Sequence, residues 1–137
     1  MRNGNLDRIQ AELQQAQSDA LILLDCCTAG TVDGGEGNGV TELLAACSFD
    51  SKANGVGHYS FTTTLTIELK QMARLMQTSQ RNSFSIGDLY ANMYRRTQSY
   101  MPQGIANERY PSPIHVQLRA DERLPTGIRL SIFNKSL

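Results

Sequence analysis

Asp25, Cys26 and Cys27 follow directly on the apolar run Ala20-Leu21-Ile22-Leu23-Leu24 and precede Thr28-Ala29-Gly30. A thiol there can serve as a nucleophile once it ionises and a base lies within hydrogen-bond reach. The small residues after it leave room for a substrate backbone to approach. Asp25 adds a carboxylate two residues before Cys27. Its charge disfavours a neighbouring thiolate by like-charge repulsion, so it is a poor activator. It suits a cationic substrate group better. The competing role for Asp25 is structural, as a turn cap or the partner of a nearby base. Free cysteines are also among the most buried residue types, and Cys47, at the end of Leu43-Leu44-Ala45-Ala46-Cys47, reads as plain core.

The elements that must position these residues are visible as hydrophobic period. Over residues 6–18, Leu6, Ile9 and Leu13 form the narrow stripe of an amphipathic helix. Residues 20–24 predict a fully buried strand of the kind found in parallel sheets. Residues 40–47 fit either a strand or a short helix. From Ser60, a candidate cap, Phe61, Leu65, Leu69, Met72 and Met76 share one helical face. A second helix is predicted over about 86–97, with Ile86, Leu89, Tyr90, Met93 and Tyr94 on its apolar face. Ser85 and Asp88 form its capping box, Asp replacing the usual Glu or Gln. Ile114, Val116 and Leu118 alternate with His115 and Gln117 as in a strand, and Ile128, Leu130 and Ile132 alternate with Arg129 and Ser131. Residues 30–39, rich in glycine, predict a mobile loop; 50–58 and 101–113 are irregular, and 121–127 a turn. This order predicts an α/β layered domain. In such folds ligands bind beyond the carboxyl ends of the strands, where Asp25–Cys27 falls. Strict alternation would put Asp25 and Cys27 on one side and Cys26 on the other.

Composition narrows the function classes. The chain has 137 residues, 40% hydrophobic and 19% charged, with 13 basic and 13 acidic side chains. The zero balance gives no electrostatic pull toward nucleic acid or an anionic membrane. No apolar run approaches the ~18 residues of a spanning helix, and the first residues do not form a secretory signal. Three cysteines, two of them adjacent, are a poor disulfide framework and suit a reducing, cytoplasmic setting. With His58 and His115 alone, a multi-histidine metal site is nearly excluded. Asp33 and Glu36 among the glycines lack the spacing of a calcium loop.

Leu21-Ile22-Leu23-Leu24-Asp25-Cys26-Cys27-Thr28-Ala29-Gly30 resembles the nucleophile segment of caspase-like cysteine peptidases, the clan of caspases and metacaspases. In metacaspases that segment reads D-S-C-H-S-G at the end of a buried strand. Cys27 then stands at the nucleophile and Cys26 at the metacaspase serine; Thr28 and Ala29 depart from the pattern. Downstream, 41–47 looks like the next core strand, 58–69 like the following loop and helix, 83–96 like the next helix, and 113–118 like the closing strand. The spacing is most similar to fungal caspase-like proteins.

The resemblance implies a mainly parallel sheet flanked by helices and lacking the leading strands. It implies peptide-bond hydrolysis through a thioester on Cys27, with no cofactor and with a protein or peptide as substrate. Asp25 matches the aspartate that lines the metacaspase primary specificity pocket, which implies cleavage after Lys or Arg. The family's histidine lies ahead of the nucleophile, ~50 residues ahead in caspases. None of the 26 residues before Cys27 is histidine, and both histidines follow it. Two readings compete. Residues 1–137 are the carboxyl-terminal portion of one caspase-like domain, inactive alone; or they form a non-catalytic caspase-fold module that acts by association, for instance with an intact caspase-like chain. A third reading makes this a different small α/β domain with Cys27 in its core. His58, between glycine and Tyr59, is either a substitute base or an ordinary turn histidine. His115 is expected to be structural.

Overall fold

The computed structural model describes Arg8, Glu12 and residues 18–27, 39–47, 60–99, 112–120 and 127–132, with Cys27 described by its backbone. The elements are β1 (Ala20–Cys27), β2 (Thr41–Cys47), α1 (Phe61–Thr78), β3 (Phe84–Ser85), α2 (Ile86–Ser99), β4 (Ile114–Arg119) and β5 (Arg129–Leu130). Of the predicted helix over 6–18, the described Arg8 and Glu12 are helical and form an i,i+4 ion pair at 3.5 Å. The glycine-rich loop 30–39, apart from Gly39, and the loop 50–58 lie outside the described residues.

The main sheet has the order β1-β2-β4. β1 and β2 run parallel, and β4 runs antiparallel to β2. Among the described residues the sheet is therefore mixed, which corrects the mainly parallel sheet expected. β3 and β5 form a separate antiparallel pair, Phe84 opposite Leu130. The coarse expectation of an α/β architecture is met.

Central position decides burial. All seven residues of β2 are buried, so both of its faces are covered. β1 sits at an edge of the described sheet. Ala20 alone is buried there, Leu21, Ile22 and Leu24 are half-buried, and Leu23 is 46% exposed. The continuous apolar run that predicted a fully buried strand thus belongs to an edge. The strand crossed by Glu42 is the one in the middle.

One face of the sheet carries the helices. Leu44 and Ala46 of β2 pack with Phe61 and Met72 of α1, Phe84, and Leu89 and Met93 of α2. Leu65, Leu69, Met76 and Tyr90 extend this cluster, so the predicted apolar faces are the packed ones, while Tyr94 is exposed. The helix starts follow their capping chemistry. The Thr63 N–H donates to Ser60 Oγ at 3.3 Å. The Asp88 N–H donates to Ser85 Oγ at 3.0 Å, and the Ser85 N–H returns to Asp88 Oδ2 at 3.2 Å, a complete reciprocal box. The Ser85 backbone bond, helped by Arg81 and Arg129, holds the Asp88 carboxyl below its ordinary value.

The β1–β2 entrance is set by glycine. Gly39 has φ +107°, and a Cβ there would lie 2.6 Å from the Ser18 carbonyl carbon. Only glycine meets both conditions without strain. From that turn the Val40 N–H donates to Asp19 Oδ1 at 2.8 Å and Arg119 Nε to the Gly39 carbonyl at 2.8 Å, aligning all three strands at one end.

Candidate functional site

The register of β1 on β2 governs the candidate site. Leu21 to Leu24 pair in step with Glu42 to Ala45. The next pair is Cys27 with Cys47, so three residues of β1 cover the distance of two on β2. This is a β-bulge, a device that recurs beside functional sites because it re-aims side chains. It breaks the strict alternation from which Asp25 and Cys27 were expected on one side. Asp25, Cys26 and Cys27 are also the last three residues of the strand rather than the loop beyond it.

Asp25 is exposed and reaches the start of α1, where Thr62 Oγ1 donates to its Oδ2 at 2.8 Å. Thr62 is in the first helical turn, so the positive end of the helix dipole lies near the carboxylate. Cys26 is free and exposed. Cys47, read from sequence as plain core, is fully buried and disulfide-bonded. An odd cysteine count argued against a disulfide. A count carries no information on strand register, and register is what brings cysteines together.

Of the two histidines, the described one, His115, does not reach this strand end. His58 lies outside the described residues. His115 pairs across β4 with Leu44, which in turn pairs with Leu23, three positions before Cys47 on β2. At ordinary strand dimensions that is about 10 Å along the sheet and about 10 Å across it from Cys27, beyond hydrogen-bond reach. His115 is instead held by Glu42, Nε2 to Oε1 at 2.7 Å, with the Tyr90 ring 5.7 Å away. It is structural, as expected. The alternation of β4 reads inverted, however: His115 turns inward, and Val116 is 40% exposed.

Sequence reasoning missed Glu42. Its side chain is 4% exposed in the central strand. Besides His115 it accepts the Ile128 N–H on Oε2 at 2.6 Å. A Cβ on Gly127 would sit 2.9 Å from both carboxylate oxygens, so the backbone there approaches as only glycine allows. Glu68, buried on α1, is bound by Arg96 Nε at 2.6 Å and ties α1 to α2. One acid inside an apolar run, with a single downstream histidine on a strand, was the available signal for Glu42. Both acids hold elements together.

Among the described residues no helix is long and apolar enough to cross a membrane, and no three metal-ligating side chains cluster. No protein-family model matches the chain, and neither a curated protein nor a solved structure matches it.

Proposed function

We propose that the chain carries the nucleophile-bearing part of a caspase-like cysteine endopeptidase that cleaves after Lys or Arg. The observation that carries the reading is that Asp25 and Cys27 both lie at the carboxyl end of β1, beside a buried parallel strand. Ligands of α/β sheets bind at such ends. In the proposed reaction the Cys27 thiolate attacks the scissile carbonyl carbon. Backbone N–H groups hold the oxyanion, and collapse expels the amine, which takes a proton from a histidine. Water then hydrolyses the thioester. Asp25 receives the substrate's Lys or Arg side chain. Thr62 occupies one of the carboxylate's roughly four acceptor sites and fixes its orientation. The base comes from a histidine other than His115; in the family it lies ahead of the nucleophile, where residues 1–26 hold none, so residues 1–137 are expected to cleave peptides poorly unless His58 substitutes.

The test is labelling of the reduced chain by peptidyl ketones ending in Arg or in Asp. The Arg reagent is expected to label Cys27 faster, and Asp25→Ala to remove the preference. Equal rates for the two reagents, or no thiol labelling of Cys27 even at high pH, would sink the proposal.

One observation favours a second reading, a module acting by association. The outer edge of β1 has no strand partner among the described residues, and Leu23 is exposed on it. Sheet edges of this kind pair with other chains. Co-purification with an intact caspase-like protein, lost on replacing Leu23 with Lys, would favour it; a monodisperse monomer would count against it.

A further inference from the structure

We propose that Cys27 and Cys47 form a reversible disulfide that switches the strand-end thiol off. The consequence for activity rests on the peptidase reading; the pairing itself does not.

The argument starts from register. Continued in step from Leu24 opposite Ala45, the β1–β2 ladder would bring Cys26 opposite Cys47. The bulge inserts one residue and brings Cys27 there instead. Neighbouring strands lie about 4.8 Å apart. That spacing is inside the Cα separation of about 4.4–6.8 Å that a disulfide accepts. Cys47 is disulfide-bonded and Cys26 is free, and the chain has three cysteines. The bulge therefore selects which of two adjacent cysteines is the partner.

The exchange needs an oxidant, and a low-molecular-weight disulfide such as oxidised glutathione supplies it. Cys47 is fully buried, so the first step falls to the other thiol. The Cys27 thiolate attacks one glutathione sulfur and expels a glutathione thiolate. The Cys47 thiolate then attacks the Cys27 sulfur and expels the second. Two protein thiols lose two electrons and two protons, and one glutathione disulfide becomes two glutathione thiols. In the oxidised form Cys27 has no thiolate to offer a carbonyl. Reduction restores it. Cys26, exposed on the bulge, stays outside the exchange.

Sequence spacing makes the test direct. Cleavage after Glu12, Glu36, Glu42 and Glu68 leaves Cys26 and Cys27 on the peptide 13–36 and Cys47 on 43–68. The folded full chain is incubated with oxidised glutathione, blocked with N-ethylmaleimide and digested without reduction. Mass spectrometry is expected to find the two peptides linked, at their summed mass less two hydrogens plus one maleimide on Cys26. The link should persist in Cys26→Ser and be lost in Cys27→Ser and on reduction. A link kept in Cys27→Ser but lost in Cys26→Ser overturns the assignment. So does maleimide on both Cys27 and Cys47 of the oxidised wild type. Cys47→Ala should also lose the link; if that variant does not fold, Cys27→Ser decides. A linked pair in a chain whose reduced Cys27 ignores the Arg-ended ketone keeps the disulfide and removes the peptidase reading. A labelled Cys27 with no linked pair does the reverse.

Discussion

β1 and β2 lie side by side in parallel, yet they meet opposite fates. β2 contains Thr41 and Glu42 and is buried at every position. β1 opens with five apolar residues, and among its described side chains only Ala20 is buried. The difference teaches that position in the sheet, more than apolar content, sets burial. The central strand can carry Glu42 because its neighbours satisfy it: His115 and the Ile128 N–H complete the carboxylate. Toward the carboxyl end of the edge strand, Asp25 and Cys26 are exposed.

The contrast can be broken by mutation. Glu42→Ala should have the largest effect, about 3–5 kcal/mol in urea unfolding, because it strands His115 and a backbone N–H beside a buried void. A loss below about 1 kcal/mol would mean that β2 is not the closed centre of the fold. Next, Leu44→Ala should cost about 3 kcal/mol, as for a fully buried leucine. Leu23→Ala, opposite it in the ladder, should cost less than about 1 kcal/mol. Equal losses would erase the distinction between the strands. The smallest effect belongs to a group outside both. Asp88→Ala should cost about 1 kcal/mol at neutral pH. The Asp88 carboxyl is held below its ordinary value of 3.8, so its stabilisation is present above that value and lost as pH falls through the folded-state value. Unfolding curves of wild type and variant should therefore converge in acid. A gap that persists below about pH 2 would assign the effect to something other than the carboxylate.

Much of this was legible from residue pattern. Ser60, Ser85 and Asp88 announced their helices because caps act within a few residues of the chain. Phe61, Met72, Leu89 and Met93 announced their faces through the helical period. What depends on distant partners was not legible. The run 20–24 has the composition of a core strand, and nothing local tells it that β2 takes the centre. Val116 and His115 exchange the sides that hydropathy assigns them because Glu42, 73 residues away in the chain, draws the histidine inward. At the candidate site, the order Asp25-Cys26-Cys27 was visible. The bulge that chooses between the two cysteines was not, since register is a property of two strands.

Glu42 also has a history in the making of the chain. It is synthesised early, but its carboxylate receives one partner 73 residues later and the other 86 residues later. The carboxylate at the centre of the sheet is therefore complete only once residues as far along as Ile128 are in place. Burying β2 earlier would strand that charge in an apolar interior. The closed centre of the sheet thus depends on contacts that span most of the described chain, and cannot be completed by β1 and β2 alone.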